Sequence, residues 1–263
     1  MSNADAIIAA LRSGYDSLAG LVCGYSDKQL AGPTGADEWD VSQVLSHLGS
    51  GAEIAQNGLL AALERKPGPG VEFNKAVWAR YDGAGRRERL DWFLAANEGH
   101  TQSYESLSEE TRTTLKIDMH YLPAPADVAT AAFSRLSELA LHSWDVYAGL
   151  DPAATITPEA TQLLLPRTEL IGGYLGKPDA LNGKHALIAV TTTDPARELT
   201  LHLGEQVGVS AGAPEQSDGT LTLPAEAWIR LLTGRLKPPY IPVGITTTGT
   251  ADLDLLRRVF PAF

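Results

Sequence analysis

The segment SELALHSWDV, residues 137–146, places a carboxylate and an imidazole four residues apart, at Glu138 and His142. A helix turns by about 100° per residue, so both side chains point the same way if this segment is helical. A carboxylate oxygen and an imidazole nitrogen at that spacing can bind one divalent ion. The spacing is also typical of a simple Glu–His contact or of a histidine satisfied within the core, and by itself it leaves all three interpretations open.

A second histidine lies in the segment WDVSQVLSHLGSGAEI, where His47 is surrounded by apolar residues such as Leu45 and Leu48. Two long predicted helices therefore each carry a histidine on a face that looks buried. Helical bundles build metal sites from side chains on facing helices. His47, Glu138 and His142 offer two nitrogens and one carboxylate, which is the donor set of a catalytic zinc with an open fourth position. Zinc is the expected ion, although these donors also suit nickel, iron or manganese.

Four apolar-periodic segments in the first part of the chain predict the helices that must position these residues. The second of them has a clear start, because Asp40 followed by Gln43 is the pattern of a capping box, and it has a clear end at KPGPG. It contains Gly49, Gly51 and Gly58, which weaken a helix and so indicate close packing or a ligand space beside it. Together the segments predict an up-and-down four-helix bundle. The predicted helices span residues 4–22, about 41–65, about 74–84 continuing into 87–107, and about 126–147.

The second part of the chain has a different pattern. A helical segment from Ile156 to Leu175 precedes short runs rich in β-branched residues, each bounded by glycine or proline, which predict strands. PAEAWIRLLTGR predicts a helix, and GITTTGTADLDLLRRVF predicts a strand followed by a last helix. We therefore predict an α+β protein of two domains, with a helical bundle over residues 1–152 and a small α/β domain over residues 153–263.

The composition excludes several classes of function. The chain of 263 residues is 44% hydrophobic and 20% charged, which is ordinary for a soluble protein, and its net charge of −11 disfavours nucleic acids and anionic membranes. The amino-terminal segment predicts an amphipathic helix and not a signal peptide, and no apolar run is long enough to span a membrane. Cys23 is the only cysteine, so no intrachain disulfide can form. The cytoplasm is the expected location.

Three segments resemble one known family: WDVSQVLSHLGS, SELALHSWDV and WIRLLTGR. In this order they are similar to the mycothiol-dependent maleylpyruvate isomerase family, which belongs to the DinB-like superfamily of metal-binding bundles, and the resemblance covers nearly the whole chain. It implies that His47, Glu138 and His142 bind zinc, and that the second domain is a small α/β fold similar to sterol-carrier proteins. It also implies that mycothiol, a low-molecular-weight thiol, serves as cofactor or cosubstrate, and it makes a monomer the expected state.

Four further residues are candidates for supporting roles. Asp145 follows His142 by three residues and could accept a hydrogen bond from its imidazole, or it could simply be a polar residue near the end of a helix. Arg230 and Arg235, in WIRLLTGR, could pair with a substrate carboxylate or lie on a solvated helix face. Asn74 resembles a position near the family's pocket, although it could instead cap the third helix. Asp145, Arg230 and Arg235 are thus the candidate catalytic residues, and Asn74 and Arg235 are the candidates for cofactor binding.

The remaining reactive side chains are assigned no role in catalysis. Cys23 is expected to be a small buried residue, so a reactive thiol must come from outside the chain. His120 lies in a segment expected to be irregular, where it could line the mouth of a pocket, although an exposed loop position is expected. His202 alternates with Leu201 and Leu203 and is expected to face solvent from a strand.

These residues support three hypotheses of function. The first is a zinc- and mycothiol-dependent enzyme, either a cis–trans isomerase or a thiol S-transferase acting on a small electrophilic substrate. The second is a zinc hydrolase that activates water at the same position, with Asp145 or His120 as the general base. The third is a non-catalytic protein that binds a small ligand and contains a structural metal. Three protein ligands argue against the third, because structural zinc sites usually have four.

Overall fold

The structure is a computed structural model that describes residues 3–261, and they divide into two compact units between Leu150 and Asp151. The first unit is helical, and the second contains a sheet. No helix among these residues is both long and apolar enough to cross a membrane. The helices of the first unit are α1 (Asn3–Val22), α2 (Asp27–Leu30), α3 (Val41–Leu63), α4 (Val71–Gly83), α5 (Arg86–Glu105), α6 (Glu109–Thr114) and α7 (Val128–Ala148).

The four long helices of the first unit, α1, α3, α5 and α7, enclose its core. The most extensive contacts are those of α3 with α5 and of α1 with α7, and contacts of α3 with α7 and of α1 with α5 complete a ring. The consecutive long helices α1 and α3 are therefore not principal neighbours, since they lie opposite each other in this ring, and the same holds for α5 and α7. The consequence for function is that α3 lies directly against α7.

The start of α3 confirms the predicted capping box. The Asp40 carboxylate accepts from the backbone N–H of Gln43 at 2.9 Å, and the Gln43 side chain accepts from the backbone N–H of Asp40 at 2.9 Å. Two of the unpaired donors at the helix start are thereby satisfied, which defines where α3 begins. His47 lies two turns further on.

The third helix differs from its prediction. Helix α4 begins at Val71 after Gly70, so Asn74 lies inside it and is only 1% exposed. The interpretation of Asn74 as the cap of this helix is wrong. The segment LKIDMHYLPAP, predicted to be irregular, contains part of a short antiparallel pair of strands, β1 (Lys116–Ile117) and β2 (Ala126–Asp127). Strands of two residues are too short to produce a periodic pattern.

The second unit is built on a five-stranded sheet of order β5-β4-β3-β6-β7, in which only β3 and β6 are parallel. His202 on β4 is exposed between the buried Leu201 and Leu203, as its alternation predicts. The predicted helical segment from Ile156 to Leu175 is interrupted by a 3-10 turn at Leu165–Arg167, which contains Pro166. The elements are α8 (Pro158–Leu164), α9 (Thr168–Leu175), β3 (Ala186–Thr193), β4 (Arg197–Leu203), β5 (Gly208–Ala211), β6 (Gly219–Pro224), α10 (Ala225–Leu232), β7 (Thr246–Gly249) and α11 (Leu253–Val259).

The glycines of α3 allow a paired test of helix packing. A Cβ on Gly49 would lie 2.7 Å from the Tyr81 ring and 3.0 Å from the Cα of Phe93, whereas a Cβ on Gly58 would meet nothing closer than 3.8 Å. We expect Gly49→Ala to lower the free energy of unfolding by about 1–3 kcal/mol through overpacking. Gly58→Ala should raise it by up to about 1 kcal/mol, because alanine favours the helix and fits. Urea unfolding followed by the helical circular dichroism signal measures both, and equal effects of the two substitutions would contradict the packing.

Candidate metal centre

The contact of α3 with α7 brings the three predicted ligands together. His47 Nε2 lies 2.8 Å from Glu138 Oε2, and His142 Nε2 lies 3.7 Å from the same oxygen. One donor atom from each residue lies within 4.8 Å of the others. Donors of a tetrahedral zinc, each about 2.0–2.2 Å from the ion, are separated by similar distances. The donor set and its spacing thus fit one divalent ion after small side-chain movements.

The cluster is open on one side. The side chains of His47 and Glu138 are 39% and 42% exposed, whereas that of His142 is 16% exposed. Part of the cluster is therefore accessible to a further ligand. This arrangement provides three protein donors and a free approach, as in catalytic zinc sites.

Asp145 orients one of the imidazoles. Its carboxylate, 1% exposed, accepts a hydrogen bond from Nδ1–H of His142 at 2.8 Å. A carboxylate can only accept, so the hydrogen bond places a proton on Nδ1 and makes Nε2, which faces Glu138, the nitrogen available to a metal ion. This is the carboxylate–histidine pairing that commonly orients metal ligands.

Glu138 is held in its ionised form. Burial by itself would raise its pKa, but the hydrogen bond with His47 and the nearby charges of His142, Arg135 and His47 outweigh it and lower the pKa to about 2. At neutral pH the carboxylate is therefore available as an anionic ligand without losing a proton first.

The Trp39 ring packs against both imidazoles of the cluster. This residue was assigned no role from the sequence. Its ring stacks on His142, with centroids 5.8 Å apart, and is tilted against His47 at 5.3 Å. Trp39 precedes the capping residue of α3, so the turn into that helix places the indole beside both imidazoles. The signal was present, since this tryptophan opens the motif that ends at His47.

A cavity of about 490 Å³ adjoins the cluster within the first unit. His47 and Glu138 lie on its wall, together with Asn74 of α4 and His120 of the segment after β1. The Asn74 amide nitrogen lies 3.3 Å from His120 Nε2, and the Asn74 carbonyl oxygen is buried without a hydrogen-bond partner. The cavity therefore has a polar wall formed by Asn74 and His120 in addition to the candidate metal ligands. His120 is exposed, as expected, but it also lines this cavity.

The two arginines of WIRLLTGR lie in the second unit. Arg230, 1% exposed, donates to both carboxylate oxygens of Glu226 at 2.6 and 2.7 Å, and to the carbonyl of Tyr240 at 2.7 Å. The alternative that Arg230 lies on a solvated helix face is therefore wrong. Arg235 donates to the carbonyl of Thr233 at 3.2 Å.

Cys23 differs from its prediction. It follows the last residue of α1 and is exposed, not buried. It lies in the turn that follows α1, between the buried Val22 and Tyr25, and its own side chain faces outward. The structure places it outside the cluster and outside the lining of the cavity.

A helical unit that gathers two imidazoles and a carboxylate beside a cavity is typical of helical proteins that bind a metal ion between facing helices. The family model described as "Mycothiol maleylpyruvate isomerase N-terminal domain" matches residues 11–147, more than half of the chain. The chain belongs to this family.

Solved structures are similar over almost the full length. They include the crystal structures of the mycothiol-dependent maleylpyruvate isomerase and of a histidine-to-alanine mutant of it, with sequence identities of 13% and 12%. Each has a TM-score of 0.67 and covers 99% of this chain and 97% of the other. At such identities the likeness shows the fold alone. A search of curated proteins found no match.

Proposed function

We propose that this chain is a zinc-dependent enzyme that uses mycothiol, acting as a cis–trans isomerase of the maleylpyruvate isomerase kind or as a thiol S-transferase on a small electrophilic substrate. The observation that carries the proposal is the gathering of His47, Glu138 and His142 beside an open cavity, with His142 oriented by Asp145. Membership of the family supports the choice of thiol. The proposal places this centre in a DinB-like bundle and gives the second unit a sterol-carrier-like fold.

The chemistry of the proposed centre depends on the thiol. When bound there, zinc would hold mycothiol as its thiolate, which can add reversibly to an activated carbon–carbon double bond and so permit rotation, or remain attached in S-transfer. The one cysteine of the chain, Cys23, lies outside the cluster and the cavity lining, so the thiolate would come from mycothiol.

The residues of the chain have separate proposed roles. His47, Glu138 and His142 hold the ion, and Asp145 keeps the proton of His142 on Nδ1. Asn74 offers an unpaired carbonyl oxygen for a polar group of the cofactor. For Arg230 and Arg235, roles towards substrate or cofactor stay predictions from the resemblance, and Arg230 already donates to Glu226 and Tyr240. A cytoplasmic monomer without nucleic-acid or membrane partners also stays a prediction.

The hydrolase alternative now has one clear candidate for the base. Asp145 is buried and bonded to His142, so it is a poor choice, whereas His120 faces the cavity and could accept a proton. A non-catalytic protein with a structural metal is less consistent with three donors and an open side.

Thiol dependence distinguishes these functions. Cobalt is substituted for zinc in the full-length chain, and the visible spectrum is recorded before and after addition of mycothiol, alongside assays of maleylpyruvate isomerisation and of conjugate formation. We expect a thiolate-to-cobalt absorption band and turnover only when mycothiol is present. Hydrolysis of a carboxamide without thiol, with no such band, would instead support the hydrolase and contradict the proposal.

A further inference from the structure

Arg135 is a buried cation in the cavity wall that neither the sequence motifs nor the metal centre accounts for. It lies on α7, three residues before Glu138, so the two side chains are neighbours on one helix face. It is 8% exposed, and it lines the cavity together with Gly51 of α3. A buried guanidinium is costly unless an anion or several acceptors compensate its charge.

The bonds that Arg135 makes do not compensate that charge. Nη2 donates to the backbone carbonyl of Leu48 at 3.2 Å, and Nε is buried without a partner. Within residues 3–261, no carboxylate forms an ion pair with Arg135 at 4.0 Å or less. Glu138 is the anion that acts on it electrostatically, but its oxygen is bonded to His47, and the proposed ion would take that carboxylate as a ligand.

The position of the guanidinium depends on a glycine. A Cβ on Gly51 would lie 2.6 Å from Nη1 of Arg135. The absence of a side chain at this position therefore lets the guanidinium lie against α3 at the cavity wall. The prediction that the glycines of α3 indicate close packing or a ligand space holds here in both senses, because Gly51 contacts Arg135 and lines the cavity.

We propose that Arg135 binds a carboxylate group of the substrate inside the cavity and so selects short carboxylic acids over neutral electrophiles. The planar fork of a guanidinium matches a carboxylate, and a low-dielectric wall strengthens that pairing. Because Arg135 and Glu138 are neighbours on α7, a carboxylate held by Arg135 places the next few atoms of a short ligand beside the metal cluster. This inference rests on the proposed function, for which it names the substrate class.

Binding of maleate and of its neutral diester, dimethyl maleate, tests this role directly. Both are titrated into the full-length chain by calorimetry at constant ionic strength, in zinc-loaded and in chelator-treated protein. We expect Arg135→Met to weaken maleate binding by about tenfold to a hundredfold and to leave dimethyl maleate binding unchanged. Arg135→Lys should have an intermediate effect, because lysine keeps the charge but loses the fork. Gly51→Ala should also weaken maleate binding, since it displaces the guanidinium without removing its charge.

The control is Lys75→Met, which removes an exposed positive charge from α4 and should bind both compounds like the wild type. The inference is overturned if the wild type does not bind maleate, if Arg135→Met binds it as tightly as the wild type does, or if both compounds are weakened equally. Should Arg135→Met fail to fold, the comparison of Arg135→Lys with the wild type decides. Arg135→Met could still weaken maleate binding in chelator-treated protein while the wild type shows no thiol-dependent activity. That result would refute the proposed function but not the role of Arg135.

Discussion

His47→Ala is expected to remove the bound metal and with it the activity, while the fold remains. His47 supplies one of three donors, and two protein donors are too few to hold zinc against competing solvent and chelators. Metal content should fall from about one ion per chain to a small fraction of that. A metal ion contributes several kcal/mol to transition-state stabilisation, so thiol-dependent turnover should fall on the order of 10³-fold.

The fold should tolerate this substitution because the His47 side chain is 39% exposed and faces the cluster and not the helical core. Elemental analysis and a steady-state assay measure the two effects, and thermal unfolding of chelator-treated protein verifies the fold. The matched control is His202→Ala, which removes an exposed imidazole from β4 in the second unit. Unchanged metal content in His47→Ala would refute the centre. Lost metal with unchanged turnover would refute its role in the chemistry.

Asp145→Asn is expected to weaken metal binding while all three ligands are kept. An amide is almost isosteric with the carboxylate, but it is uncharged and can present an N–H to Nδ1 of His142. That contact would favour the proton on Nε2, the nitrogen needed for the ion. Loss of such an orienting partner typically costs about 10–100-fold in metal affinity or activity. Competition with a chelator of known affinity measures the change.

A double-mutant comparison separates this effect from general damage to the fold. If Asp145 acts through its hydrogen bond to His142, Asp145→Asn should lower the free energy of unfolding of chelator-treated wild-type protein but have little further effect once His142 is replaced by alanine. Asp16→Asn, on the exposed side of α1, is the control for loss of one carboxylate. Equal losses from Asp145→Asn in both backgrounds would show that Asp145 supports the helix and not the ligand.

Local sequence patterns carried much of the information about the elements. The capping box of Asp40 and Gln43, the spacing of Glu138 and His142, and the alternation around His202 involve residues a few positions apart. Their consequences are determined by helix and strand geometry, which the neighbouring residues already define. A helical first unit and a sheet-containing second unit were therefore predicted correctly, and the family was recognised from motifs of the same local kind.

Other features depended on residues far apart in the chain. Asn74 could be read as a cap because the start of α4 has no strong signal, and only the structure shows it buried on the wall of the cavity. Arg135 gave no signal, since an arginine on a helix is usually solvated. Gly51, on another helix, leaves room for its guanidinium. Cys23 was expected to be a small buried residue because it belongs to no recognised motif, but it lies exposed in the turn after α1.

The sequence by itself determined which residues can bind a metal and which helices carry them. The tertiary structure decided that α3 lies against α7, that Glu138 is 2.8 Å from His47, that Trp39 packs on both imidazoles, and that Asn74 and Arg135 line the adjoining cavity. The physical reason is that periodicity and capping act over a few residues, whereas the choice of packing partners depends on the complementarity of whole helix faces. That complementarity includes single positions, such as Gly49 and Gly51, at which the absence of a side chain lets another residue approach.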